Sequence, residues 1–323
     1  MSSDLAGAAP SPEAVARLLN TIFGGRRVAD VRLLAEGLCN FNYRIELERE
    51  AAPFVLRVYG HDPSACRKEV DLLRLLGGTI PVPEVLDVQA DGRCGVGPFI
   101  VTRYVEGVTF RQLRRGGDAA AVAQAAYAIG ETLATVGQHR FAARGVLGAG
   151  LAVTAPFFAG PDAIPKFIDA CLGDATLRTR LDRRVRERLH ALAWARAADL
   201  ARLQGETCLV HGDFNNRNVL VRRERGRWVV AAVLDWESAV SASPLFDVAS
   251  FLQYERRLSP SREPHFSRGY QSGGGRLPDG WWQLARIVAL TSQCETLTQR
   301  TVPAEVVNEV AELVRATTEE ELI

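Results

Sequence analysis

With 323 residues, 47% of them hydrophobic and 24% charged, the chain is neither disordered nor fibrous and is long enough for about two domains. Its net charge of +1 and pI near 7.7, with arginines scattered along the sequence rather than gathered in one basic block, provide no field to draw in nucleic acid. No run approaches the ~20 apolar residues of a membrane span, and Met1-Ser2-Ser3-Asp4 lacks a basic start followed by an apolar core, so a cytoplasmic protein with no membrane partner is expected.

Six cysteines, Cys39, Cys66, Cys94, Cys171, Cys208 and Cys294, show neither a C-x-x-C pair nor a His at ligand spacing and read as reduced, packed thiols. Lys68 and Lys166 are the only lysines against many arginines, and alanine is abundant, a bias that points to a GC-rich bacterial gene.

Ser11-Pro12-Glu13 has the chemistry of a helix start, and Val15, Leu18, Leu19 and Ile22 then fall on one face before Gly24-Gly25 ends the run. Three β-rich runs follow, Val31 to Leu34, Asn42 to Leu47 and Phe54 to Tyr59, which predict an antiparallel meander. Pro63 opens a helix with Val70, Leu72, Leu73, Leu75 and Leu76 turned inward and Gly77-Gly78 at its end. Strands at Val85 to Val88 and Phe99 to Val105 complete a small sheet with a helix inserted between its third and fourth strands.

Beyond Gly107 the pattern is mostly helical, over Ala119 to Val136, Asp182 to Leu203, Ala285 to Leu297 and Pro303 to Arg315. A single β hairpin interrupts it, Val219 to Arg222 and Trp228 to Leu234, turning through Arg225-Gly226-Arg227. Gln271-Ser272-Gly273-Gly274-Gly275 reads as a flexible loop. The division expected is 1–106 for a nucleotide-binding lobe and 107–323 for a catalytic and acceptor-binding lobe.

The chemistry concentrates at His211-Gly212-Asp213-Phe214-Asn215-Asn216-Arg217-Asn218 and at Asp235-Trp236-Glu237. An Asp with an Asn five residues on matches a phosphoryl-transfer loop, in which Asp213 accepts the proton of the acceptor hydroxyl and Asn218 holds magnesium. Antiparallel pairing of the hairpin brings Asn218 alongside Asp235, and two oxygen ligands suit Mg²⁺, which fills its shell with phosphate and water. His211 reads as a structural residue that holds the loop. For Glu237, a solvated side chain and a water-mediated metal contact both stand, the former favoured.

H-G-D-x-x-x-x-N-V-L-V at 211–221, V-L-D-W-E at 233–237 and L-F-D-V-A at 245–249 resemble the aminoglycoside phosphotransferase and choline kinase family, small-molecule relatives of protein kinases. The resemblance covers nearly all of the chain in the order of elements. It implies an α+β, protein-kinase-like two-lobed fold, with an N-terminal antiparallel sheet plus helix and a larger, mostly helical C-terminal lobe. It also implies Mg²⁺ and ATP, or GTP, as cofactors, and a small-molecule hydroxyl as acceptor.

By the same resemblance Arg57 contacts the nucleotide phosphates where protein kinases carry Lys, and pairs with Glu69. An exposed helix charge is the equal alternative for Glu69. The turn Glu36 to Tyr43 matches the phosphate-covering loop, with backbone N–H groups from Leu38 through Asn40 to Phe41 near the phosphates. The linker Thr102 to Gly107 would receive the adenine, through the carbonyl of Arg103 and the N–H of Val105. Asp247 corresponds to an Asp that braces the catalytic loop.

The acceptor is less legible. Between Trp236 and Arg300, six acids stand against seven arginines, a balance that does not favour a polycation. Glu305, Glu309 and Glu312 share a helix with Val306, Val310, Leu313 and Val314 and read as a solvated face rather than a ligand wall. Phe266, Tyr270, Trp281 and Trp282 are either an acceptor lid or core. An antibiotic such as an aminoglycoside, phosphorylated to give resistance, is the leading acceptor by resemblance. The alternatives are a metabolic kinase for choline, a sugar or an amino-acid alcohol and, from another class, a nucleotide-binding pseudoenzyme. The sequence leaves the oligomeric state unknown.

Overall fold

A computed structural model describes residues 10–36, 40–60 and 62–320. The strands are β1 (Val28–Glu36), β2 (Asn40–Leu47), β3 (Phe54–Tyr59), β4 (Val85–Gln89), β5 (Phe99–Arg103), β6 (Val108–Thr109), β7 (Gly145–Leu147), β8 (Val153–Ala155), β9 (Cys208–Val210), β10 (Val219–Glu224), β11 (Arg227–Val233) and β12 (Val240–Ala242). The helices are α1 (Pro12–Ile22), α2 (Pro63–Leu76), α3 (Phe110–Arg115), α4 (Ala119–Val136), α5 (Ala163–Gly173), α6 (Ala175–Arg180), α7 (Arg183–Ala195), α8 (Ala197–Ala201), α9 (Leu245–Leu252), α10 (His265–Ser272), α11 (Trp281–Thr298) and α12 (Ala304–Glu320).

Two compact units result, the first made of Met1–Thr109, Leu147–Ala152 and Asn218–Ser238, the second of Phe110–Val146, Val153–Arg217 and Ala239–Ile323. The first holds an antiparallel sheet in the order β1-β2-β3-β5-β4, and the hairpin β10–β11, extended by β6, belongs to it as well. Strand alternation sorts the side chains of β3 between two faces. Phe54, Leu56 and Val58 join Leu18, Leu19 and Phe23 of the α1 region in an apolar cluster, whereas Arg57 and Tyr59 face Glu69 of α2. Helix α1 starts where Ser11 Oγ accepts from the Ala14 N–H at 3.2 Å, and α2 where Asp62 caps Ser64 at 2.9 Å. The turn of the β10–β11 hairpin uses Arg225 and Gly226, both at positive φ, the backbone that a two-residue hairpin turn requires.

The second unit is built on helices. Helix α4 crosses α10 at two glycines. A Cβ on Gly130 would stand 2.2 Å from the Phe266 carbonyl oxygen, and one on Gly269 would stand 2.0 Å from that of Tyr127. Phe251 stacks on Phe266 with ring centroids 4.7 Å apart. Among the described residues no helix is long and apolar enough to cross a membrane. The thiols of Cys66, Cys94, Cys171, Cys208 and Cys294 are free, and Cys39 lies outside the described residues.

The structure corrects several expectations. Leu75 is 39% exposed, because it lies off the face on which Val70, Leu72, Leu73 and Leu76 are buried. The helix expected over Asp182 to Leu203 is broken at Arg196, whose ψ of 9° ends α7, and the chain continues as α8 and a short 3₁₀ turn. The β hairpin is not alone in the later half, since three-residue strands form a second sheet in the order β8-β7-β12-β9. The flexible loop expected at 271–275 is tied down. Gln271 and Ser272 end α10, Gly275 N–H donates to the Tyr270 carbonyl at 2.8 Å, and a Cβ on Gly275 would stand 2.3 Å from the Tyr270 ring. Phe266 and Tyr270 are buried core residues, and Trp281 and Trp282 are half-buried at the start of α11.

Candidate active site

In the first unit, β3 delivers Arg57 to a set of carboxylates. Its Nε lies 3.1 Å from Glu69 Oε2, its Nη2 donates to Asp235 Oδ1, and the same Nη2 is 3.4 Å from Glu237 Oε2. Glu69 is 3% exposed and also accepts from the Tyr59 hydroxyl at 2.6 Å. Burial pushes the Glu69 carboxyl above its ordinary range, and the Arg57 guanidinium opposes that rise. Burial likewise opposes the charge of Arg57, but Glu69, Asp235 and Glu237 outweigh it and raise the guanidinium above its ordinary value. Glu69 is therefore an internal partner of Arg57 and not an exposed helix charge.

Asn40, 5% exposed at the start of β2, donates through Nδ2 to Glu237 Oε2. The expectation of a solvated Glu237 fails here, because the 3₁₀ turn Trp236–Ser238 after β11 turns it toward Asn40 and Arg57. Lys68, one of two lysines in the sequence, stands one residue before Glu69, and only its rarity marks it there. It is buried at 8% exposure, and burial lowers its ammonium while Asp62, Glu237 and Glu69 support the charge.

Asn218 and Asp235 meet at the open end of the hairpin. Val219 pairs with Val233, and the Leu234 N–H donates to the Asn218 carbonyl at 2.8 Å. Asp235 follows at φ 69°, a left-handed conformation that turns the chain out of the strand. A carboxylate and a side-chain amide are donor types that suit Mg²⁺.

Arg103 ends β5, with its N–H on the Glu84 carbonyl at 3.0 Å and its Nε 2.9 Å from Glu84 Oε2. Val105 lies in the irregular segment that follows, half-buried. Gly107 packs so closely on β10 that a Cβ would stand 2.9 Å from the Val221 carbonyl oxygen. The phosphate-covering turn expected over Glu36 to Tyr43 lies in part outside the described residues, at Gly37, Leu38 and Cys39.

The second unit holds the loop of Asp213. Asp247, 1% exposed in α9, accepts the backbone N–H of His211 at 2.6 Å and of Gly212 at 3.0 Å, one on each oxygen. Burial pushes its carboxyl up to about 6, against the lowering by His211 and the two N–H donors. His211, wholly buried, accepts the Asp213 N–H on Nδ1 at 3.2 Å, which makes it a brace of the loop. Phe214 is also fully buried, its ring 5.8 Å from that of Phe251.

Anchored on both sides, Asp213 remains exposed. Its Oδ1 accepts from Asn215 Nδ2 at 2.7 Å, and Asn215 Oδ1 accepts the Arg217 N–H at 2.8 Å. Asn215 and Asn216 were not singled out in the sequence, where only their polarity between Asp213 and Asn218 hinted at a role. A separate cavity of about 1430 Å³ in this unit, lined by Arg140, Arg202, Ser243, Tyr270 and Arg276 among others, does not include the Asp213 loop.

The sequence matches the family model described as "Phosphotransferase enzyme family" over residues 30–284. No curated protein sequence matches it. Among solved structures, it is similar to a thermostable mutant of aminoglycoside phosphotransferase APH(4)-Ia in ternary complex with AMP-PNP and hygromycin B, at 22% identity and a TM-score of 0.70, covering 95% of this chain and 98% of the other. It is also similar to the GDP complex of wild-type aminoglycoside 2'-phosphotransferase-IIIa, at 17% identity, a TM-score of 0.72 and coverage of 96% and 99%. The fold is that of the protein-kinase-like aminoglycoside phosphotransferases, with the five-stranded antiparallel sheet in the first unit and most of the helices in the second. Identities this low speak for the fold alone; the family model, spanning most of the sequence, adds the chemistry, and the chain belongs to the phosphotransferase enzyme family.

Proposed function

We propose that the protein transfers the γ-phosphoryl group of ATP or GTP to a hydroxyl of a small molecule. The observation that carries this reading is the set Asn40, Arg57, Glu69, Asp235 and Glu237, in which a permanent cation and a metal-suited carboxylate meet in one unit. Phosphoryl transfer asks chiefly for positioning and charge neutralisation, which such a set supplies.

Asp213 accepts the proton of the acceptor hydroxyl, and the two N–H bonds to Asp247 hold its loop in place. Asn218 and Asp235 hold Mg²⁺, which when bound neutralises phosphate charge. Arg57, oriented by Glu69, takes phosphate oxygens with its planar fork. Within the linker, Arg103 C=O and Val105 N–H read the base.

Two acceptor classes compete. Aminoglycoside antibiotics are favoured by the hygromycin B and kanamycin named in the complexes of similar folds. Metabolic hydroxyl compounds other than choline are favoured by Arg111, Arg115 and Arg217, since the Arg111 N–H donates to the carbonyl of Asn216, three residues after Asp213. The test is release of ADP or GDP with magnesium, nucleotide and a panel drawn from both classes. Acceptor-dependent release supports the reading, and nucleotide binding without release over the whole panel contradicts it.

A further inference from the structure

Arginines scattered in the sequence are gathered in the second unit. Helix α3 carries Arg111, Arg114 and Arg115 within about one turn, and the Arg111 N–H donates to the Asn216 carbonyl at 2.8 Å. The start of α3 is thereby fixed against the residue that precedes Arg217. The fully buried Arg262 donates through Nη1 to Asn216 Oδ1 at 3.2 Å.

The positive charge of this cluster is under-compensated. Glu255 binds Arg262 through its N–H at 2.6 Å and through Nε, and also acts on Arg114, so one carboxylate serves both buried guanidiniums. Arg114 is 7% exposed, and its Nη1, like Nη2 of Arg262, is buried without a hydrogen-bond partner. Arg111 is half-buried and Arg115 and Arg217 are exposed, and among the described residues none of their side chains makes an ion pair. Glu309 of α12 is the carboxylate that acts on Arg111, and the Tyr254 hydroxyl sits among Arg111, Arg217 and Glu309.

Distance ties the cluster to Asp213. Four residues span at most about 14 Å when extended. Here the turn bridged by Asn215 shortens that span, and the Arg217 side chain has a long reach of its own. One small molecule can therefore present a hydroxyl to Asp213 and an anion to the arginines.

We propose that Arg111, Arg115 and Arg217 bind an oxyanion, a carboxylate or a phosphate ester, carried by the acceptor, which makes the acceptor an anionic hydroxyl compound rather than a polycation. This rests on the phosphotransferase reading of Asp213. Guanidinium forks match both groups, and the same field repels ammonium groups.

Two measurements decide it. In the first, with the nucleotide site saturated by magnesium and AMP-PNP, inorganic phosphate is titrated calorimetrically into the wild type and the Arg111→Gln/Arg217→Gln double variant. Saturable binding that weakens ten-fold or more in the variant is expected, with Arg217→Lys keeping part of it. Equal binding, or none in the wild type, overturns the site.

In the second, nucleotide turnover is compared over hydroxy acids and sugar phosphates, matched neutral sugars, kanamycin and hygromycin B. The anionic compounds are expected to turn over with the highest kcat/KM, and Arg217→Gln to raise the acceptor KM ten-fold or more with kcat little changed. Turnover confined to the aminoglycosides, or a loss of kcat at unchanged acceptor KM, overturns the inference and leaves the phosphotransferase reading intact. No turnover with any compound, in protein that binds nucleotide, overturns that reading, and the phosphate titration still decides the anion site.

Discussion

Arg57 donates to the Asp235 carboxylate with one nitrogen and faces the buried Glu69 carboxylate with another, 3.1 Å away. Strand β3, helix α2 and the end of the β10–β11 hairpin are thus joined through one guanidinium. Arg57→Ala strands a carboxylate that is 3% exposed, and breaking a buried pair in this way costs roughly 3–5 kcal/mol. Thermal melting is expected to drop accordingly. Arg57→Lys keeps the charge but cannot span three carboxylates, so it should fold with a smaller loss and bind nucleotide about ten-fold more weakly. Undiminished affinity in the Lys variant would show that the fork is not used.

Glu237 holds Asn40 and shares Arg57 with Asp235. Glu237→Ala therefore releases the start of β2 and shifts the guanidinium. Steady-state kinetics should give a several-fold higher KM for the nucleotide and an unchanged KM for the acceptor. A change confined to the acceptor would place Glu237 elsewhere in the reaction.

Asp247 makes stability depend on pH in an unusual direction. Its folded pKa, near 6, lies above the ordinary carboxylate range, so the folded state binds the proton more tightly than the unfolded chain does. Its stabilising contribution is full below about pH 4 and is lost as pH rises through about 6, an effect on the order of 3 kcal/mol. Asp247→Asn has no such titration. The wild type should gain Tm relative to the variant as the buffer is taken from about pH 7.5 to about pH 5, and a gap that narrows would refute the assignment.

Gly130→Ala and Gly269→Ala test the crossing of α4 and α10. Each added methyl would meet backbone, 2.2 Å from the Phe266 oxygen and 2.0 Å from the Tyr127 oxygen, and backbone does not swing aside as a side chain does. A loss of about 1–3 kcal/mol or more is expected for each, read by denaturant unfolding.

Much of the first unit was legible because its signals are local. Ser11-Pro12 and Asp62-Pro63 mark helix starts, the long strands show their two-residue period, and the Arg225-Gly226 turn fixes the hairpin that brings Asn218 beside Asp235. Strands β7, β8, β9 and β12 have three residues each, too few for any period to show, and Arg196 carries no breaker chemistry to announce the end of α7. The partners of Glu237 and the gathering of Arg111, Arg114, Arg217 and Arg262 arise from contacts across more than a hundred residues in several cases, which spacing along the chain does not encode. Asp213, Asn218 and Asp235 stand out by their motif, whereas Asn215, which holds the Asp213 carboxylate, shows itself only in three dimensions.

The most direct measurement is nucleotide turnover by Asp213→Ala alongside its nucleotide affinity, with whichever acceptor the wild type phosphorylates. Turnover reduced by at least about a thousand-fold at unchanged affinity is the predicted result, since Asp213 is assigned to the hydroxyl and not to the nucleotide. Turnover equal to that of the wild type would contradict the account.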